Sequence, residues 1–189
     1  MKDHFIDNVD FYERLYIAEN ERTKFYDKVI QYPTTILIVI FGGFFYSLNN
    51  YFSNGSVRLE TILDSVFIIL SILFLLSTMV TVFFLIKVFH GLKRDYKYIP
   101  YSMQLLEHEN SLIEHYFKES NKESKKERLK EAKEKASYRF WIDLKKQYAE
   151  YCDFNQKRND ERAKNYFLTK TFIVINLSLL VIIGIFGNL

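Results

Sequence analysis

Three stretches without charge interrupt an otherwise polar chain. No charged residue occurs between Lys28 and Arg58, and the part at 29–48 is almost wholly apolar. Twenty-two uncharged residues, mostly Val, Ile, Leu and Phe, separate Asp64 from Lys87, and 19 more follow Lys170. At a helical rise of about 1.5 Å per residue, each stretch can cross a hydrocarbon layer about 30 Å thick. A buried helix of a soluble protein seldom stays uncharged for so long. The pattern predicts an all-α membrane protein with three transmembrane helices.

Outside these stretches the periodicity is also helical. Phe5, Val9, Tyr12 and Tyr16 fall at i, i+4, i+7 and i+11, one face of an amphipathic helix over 4–31 that should kink or end near Pro33. Asn-Gly at 54–55 predicts a turn between the first two spans. The second span should extend over 61–90, because Lys87 can snorkel. Pro100 and Ser102 open a helix near 102–117 whose apolar face is Met103, Leu106, Leu112, Ile113 and Tyr116. The segment 118–136 follows, with eight basic and five acidic residues. It is expected to be a solvated linker or an exposed, ion-paired helix. From Ser137 the helical pattern resumes through Trp141, Leu144, Tyr148, Tyr151 and Cys152, with no Gly or Pro before Gly184. The third span should therefore be the membrane end of one continuous helix of about fifty residues. The organisation expected is an amphipathic helix at 1–31, a two-span hairpin at 32–90, a helical cytoplasmic region at 91–167 and a third span at 168–189.

The distribution of Lys and Arg orients the chain. Five precede the first span, one (Arg58) lies between spans one and two, twenty occupy 87–170, and none follows. Cytoplasmic flanks carry the positive excess, so the N-terminus and the long polar segment should face the cytoplasm and the C-terminus the outside. An odd number of crossings agrees. The early residues are acidic rather than basic, and the first apolar run starts too late for a signal peptide. Six Gly and two Pro are few for a β-rich fold. The lone cysteine, Cys152, excludes an intramolecular disulfide and fits a reducing compartment. The bacterial inner membrane is the expected location.

Candidate chemistry is sparse. There is no glycine-rich phosphate loop, no cysteine pair and no His-Glu-x-x-His motif, so no catalytic residue, metal site or cofactor is assigned, and an enzyme is not expected. His108 and His115 share a helix face, but Ser111 or Leu112 lies between them where a third ligand would be needed; a solvated face is favoured. Asp64, Ser71 and Thr78 stand seven apart on the second span, with Thr81 three further on. Such a stripe either packs against another helix or lines a water-filled path. Packing is favoured for a single protomer, since three spans cannot enclose a hole and a pore would need a ring of copies. Asn176, inside the third span, calls for an interhelical hydrogen bond. Asn155, Asn159 and Arg162 fall at i, i+4 and i+7 before that span. This row suits an anionic or nucleotide-like signal or an intersubunit contact. A hydrated face with local ion pairs is the favoured alternative. Because acids nearly balance bases in 118–136, direct nucleic-acid binding is not expected.

The series Tyr12-Glu13-Arg14, Glu21-Arg22 and Tyr26 on a helix, followed by a two-span hairpin and a long cytoplasmic helix, resembles SLATT-type effectors. These are small membrane proteins of bacterial antiviral nucleotide-signalling and retron systems. The resemblance covers about residues 5–150 and is architectural; the third span is an addition to the two-span pattern. It implies a membrane-disrupting or pore-forming effector that kills or arrests an infected cell. The leading expectation is a homo-oligomer that perturbs the membrane lipid bilayer, gated through its cytoplasmic helices by a defence-system protein or a nucleotide signal. The competing expectation is a non-conducting membrane anchor or adaptor that recruits a soluble partner.

Overall fold

The computed structural model describes residues 3–54, 62–89 and 96–186, with side chains at 9–53, 62–89 and 96–186. Five α-helices make up the regular structure among them: α1 (Asp3–Val29), α2 (Gln31–Asn54), α3 (Ile62–Phe89), α4 (Ser102–Glu119) and α5 (Lys125–Phe186). The all-helical class is therefore as expected. Three helices are long and apolar enough to cross a membrane. The turn expected at Asn-Gly 54–55 with Arg58, the end of the second span at residue 90 and the side chain of Phe5 lie outside the described residues or at their edge.

Pro33 marks a boundary rather than a bend within one helix. The break falls at Ile30, whose N–H still donates to the Tyr26 carbonyl at 3.3 Å. Pro33 then sits in the first turn of α2, where a missing N–H leaves no intrahelical bond unmade. At the other end of the chain, α5 runs for 62 residues. It exceeds the expected fifty because the charged stretch from Lys125 is itself helical. Pairs at i, i+4 line its surface, among them Lys135 with Glu131 at 2.8 Å and Arg139 with Asp143 at 3.1 Å, each a small favourable increment.

The chain forms two compact units. The first comprises 1–22 and 95–158 and is the more polar. Here α4 and the start of α5 form a helical hairpin across the short link 120–124. Ser120 Oγ donates to Glu131 at 2.8 Å, and the Arg128 guanidinium donates to the Phe117 carbonyl at 3.0 Å. That carbonyl belongs to the last turn of α4, which has no intrahelical donor, so a cation there satisfies both the orphan acceptor and the helix dipole. Ala132 and Ala136, one turn apart, are fully buried. Tyr16 meets Tyr148 edge to face at 5.6 Å, and its hydroxyl accepts the Ile99 N–H at 3.1 Å. The apolar face expected on α4 is only partly used. Leu112, Ile113 and Tyr116 are half-buried, whereas Met103 and Leu106 are exposed.

The second unit, 23–94 with 159–189, is an apolar bundle of α2, α3 and the end of α5. Each helix presents an inward seam whose members alternate three and four residues apart. On α2 the seam is Pro33, Leu37, Ile40, Phe44, Ser47 and Tyr51. On α3 it is Phe67, Ser71, Phe74, Thr78, Thr81, Leu85 and Val88, and on α5 Tyr166, Thr169, Ile173, Asn176, Leu180 and Ile183. This is the heptad spacing of left-handed helix packing. Phe44 stacks on Phe74 at 4.3 Å, Tyr51 on Phe67 at 3.8 Å and Phe84 on Phe172 at 5.8 Å. Those pairs make α3 antiparallel to its neighbours. Of the Gly42-Gly43 pair, Gly43 permits the close approach: a Cβ there would lie 3.0 Å from Leu180 Cδ2, while one on Gly42 would meet nothing within 4 Å.

Candidate functional site

Polar side chains recur along the seams of the apolar bundle, and their partners are specific. At one end the Tyr51 hydroxyl donates to Asp64 Oδ1. Ser71 is the next polar position on the α3 seam. Its Oγ is buried without a partner among the described residues, beside a cavity of about 170 Å³ bounded by Leu48, Tyr51, Phe67 and Leu75. Two turns further, the Thr78 hydroxyl donates to the Phe74 carbonyl at 2.8 Å, satisfied by its own helix. Thr81 Oγ1 donates likewise to the Ser77 carbonyl at 2.8 Å and accepts from Asn176 Nδ2 at 2.9 Å. The expected interhelical bond of Asn176 thus exists, between α5 and α3. Asn176 Oδ1 and Ser77 Oγ are buried and unpartnered among the described residues. An unmet polar atom in an apolar surround costs roughly 1–3 kcal/mol, so the seam carries polar groups beyond those its bonds satisfy.

Near the other end of this bundle Arg162, only 5% exposed, reaches three acceptors. Nε donates to the Val88 carbonyl at 3.1 Å, NH1 to the Thr23 carbonyl at 3.4 Å and NH2 to Asp27 Oδ1 at 2.7 Å. The Val88 carbonyl ends α3, so the guanidinium caps that helix. Its face lies 5.4 Å from the Tyr26 ring. Asn159 Oδ1 accepts from Thr23 Oγ1 at 3.1 Å. Arg162 and Asn159 are therefore engaged within one chain, bringing the last turns of α1, the end of α3 and α5 together.

Asn155 does comparable work inside the polar unit. Its Oδ1 accepts the Lys97 N–H and its Nδ2 donates to the Lys97 carbonyl, both at 3.0 Å. A side-chain amide here pairs with both backbone groups of a residue that lies outside any helix. Close by, Cys152 is buried and desolvation pushes its thiol up, which leaves it protonated and unreactive near neutrality. Burial likewise raises the Tyr148 phenol, aided by Glu13 and Tyr16.

Among the described residues the histidines form no cluster. His108 Nε2 lies 3.3 Å from Asp143 Oδ2, and His115 Nε2 lies 3.4 Å from Glu119. No group of three metal-binding side chains occurs among the described residues.

Several partners escaped the sequence: Thr23, Asp27, Tyr51, the Val88 carbonyl and the Lys97 backbone. One signal was present. Asn155, Arg162, Thr169 and Asn176 stand seven apart, and each is buried. Extending the Asn155–Arg162 spacing would have joined the polar row to Asn176 in a single series. Comparison with protein-family models, with curated proteins and with solved structures finds no match for this chain.

Proposed function

We propose that this chain is a membrane-perturbing effector of bacterial defence, similar to the SLATT type, acting as a ring of copies in the inner membrane. In this reading the N-terminus and the polar helices face the cytoplasm and the C-terminus the outside. The observation that carries it is the row of Ser71, Thr78, Thr81 and Asn176 on the seams, with Ser77 beside it, in which three polar atoms are unpartnered among the described residues. Polar groups in such surroundings are costly, and hydration satisfies them. A resting bundle hides the stripe; parting or turning α3 would present it to water. A cytoplasmic partner or nucleotide bound at the polar helices would bias that equilibrium only by its differential affinity for the two arrangements.

The test is induction in cells and reconstitution in liposomes. Wild type should collapse the membrane potential and release trapped dye, and Ser71→Leu with Thr78→Leu should lower both while the protein still fractionates with membranes. Unchanged leakage in the double variant removes the hydroxyl path. A reporter placed after Leu189 that is active in the cytoplasm overturns the orientation. The second reading is a passive anchor that recruits a soluble partner. The intramolecular engagement of Thr78, Thr81, Asn159 and Arg162 favours it, and it predicts neither leakage nor growth arrest.

A further inference from the structure

The face of α2 turned away from the bundle core is not uniformly apolar. Thr35, Val39, Gly42, Tyr46 and Asn49 repeat at separations of four and three residues on the side opposite Leu37, Ile40 and Phe44, and all five are exposed. Thr35 satisfies itself by donating to the Gln31 carbonyl at 3.0 Å. Tyr46, 68% exposed, has no hydrogen-bond partner for its hydroxyl among the described residues. At Gly42 the surface is open, with nothing within 4 Å of an added Cβ. The exposed faces of α3 and α5 at these depths are Ile, Leu, Val, Phe and Met, apart from Thr171 and Ser178, whose hydroxyls bond to their own helix.

Depth decides what can satisfy Tyr46. Phe44 stacks on Phe74, and Tyr51 meets Phe67 and Asp64. Tyr46 is thus level with about residue 72 of α3, roughly 12 Å inward of Asp64 at the helical rise. Helical side chains lean toward their own N-terminus, which on α2 carries the phenol further from the Asp64 end. A headgroup on that side is therefore out of its reach, a soluble protein cannot enter, and an acyl chain offers neither donor nor acceptor. A second copy of this chain offers both. It crosses with the same topology, so its Tyr46 and Asn49 lie at the same depth, and a phenol or an amide can each donate and accept.

We infer that this face of α2 is one contact between copies: two α2 helices approach at Gly42 and exchange hydrogen bonds through Tyr46 and Asn49, pairing copies within any larger ring. The heptad spacing supplies the seam, and a glycine inside an apolar helix lets backbones come close. The inference rests on the membrane part of the proposed function and not on permeabilisation.

The test is oxidative cross-linking in native membranes, with Cys152→Ser removing the only native thiol. Val39→Cys and Gly42→Cys should give several-fold more disulfide dimer than Ile38→Cys, Phe45→Cys or, on α3, Met79→Cys, which are exposed but lie off the seam. Adding Tyr46→Phe to Val39→Cys should lower the dimer several-fold. Integral membrane protein that cross-links equally at all five positions, or only off the seam, overturns this inference alone. Recovery of the chain in the soluble fraction overturns the membrane reading together with it.

Discussion

The side-chain amide of Asn155 pairs with both backbone groups of Lys97, accepting the N–H and donating to the carbonyl at 3.0 Å each. This two-sided bond is fully buried at Asn155, and it fastens a segment that lies outside the helices. Asn155→Ala leaves one donor and one acceptor unmet and is expected to destabilise the protein by about 2–3 kcal/mol. Hydrogen exchange should identify the cause, with the Lys97 amide losing its protection. Wild-type protection in the variant would show that the segment is held by something else.

Arg162 presents a sharper asymmetry. Its side chain is 6% exposed, whereas that of its partner Asp27 is 50% exposed. Arg162→Ala leaves the Val88 and Thr23 carbonyls without this donor and should cost about 2–4 kcal/mol, at about 1–3 kcal/mol for each unmet buried acceptor. Asp27→Asn keeps an acceptor at a half-exposed position and should cost about 1 kcal/mol or less. Arg162→Lys should resemble Ala, because an ammonium cannot serve three acceptors through a planar fork. Thermal unfolding in detergent measures all three; a rescue by Lys would refute the capping role.

The Asn176–Thr81 bond joins α5 to α3, yet Asn176 Oδ1 is unpartnered among the described residues. A double-mutant cycle with Asn176→Leu and Thr81→Val should give a coupling energy of about 1 kcal/mol. Asn176→Leu alone is expected to leave stability unchanged or raise it, since it removes the unmet acceptor along with the bond. If the seam must hydrate for permeabilisation, the same variant reduces leakage. Lower stability with undiminished leakage would separate the amide from both roles.

Acid and alkaline limbs of the stability profile report on different residues of the polar unit. The bond from Lys135, then that from Ser120, hold the Glu131 carboxyl below its usual range. Its contribution is present above the unfolded Glu value of about 4.3 and is lost as pH falls through the lower folded value. Glu131→Gln should flatten that limb. For Tyr148 the folded value lies above the ordinary one, so its contribution is complete below about pH 10 and fades as pH rises beyond it. Tyr148→Phe should flatten the alkaline limb. Denaturant titrations across pH give both slopes; an unaltered limb in either variant dismisses the corresponding group.

The elements were legible because their causes are local. An uncharged run above about 18 residues dictates a long apolar helix wherever it sits, and the absence of Gly and Pro through 137–183 allows α5 to continue. Pro33 announced the α1–α2 break, and the heptad spacing of Ser71, Thr78 and Thr81 already placed them on one face. Partners were not legible in the same way. Asn176 and Thr81 are 95 positions apart, and Arg162 and Asp27 are 135 apart. Their meeting depends on how far one helix slides past another. Bulky contacts such as Gly43 against Leu180 and Phe44 on Phe74 set that register. Periodicity names the face a residue occupies, because rise and twist per residue are constant. Which side chain lies opposite is decided by shape, and shape exists only once the helices have packed.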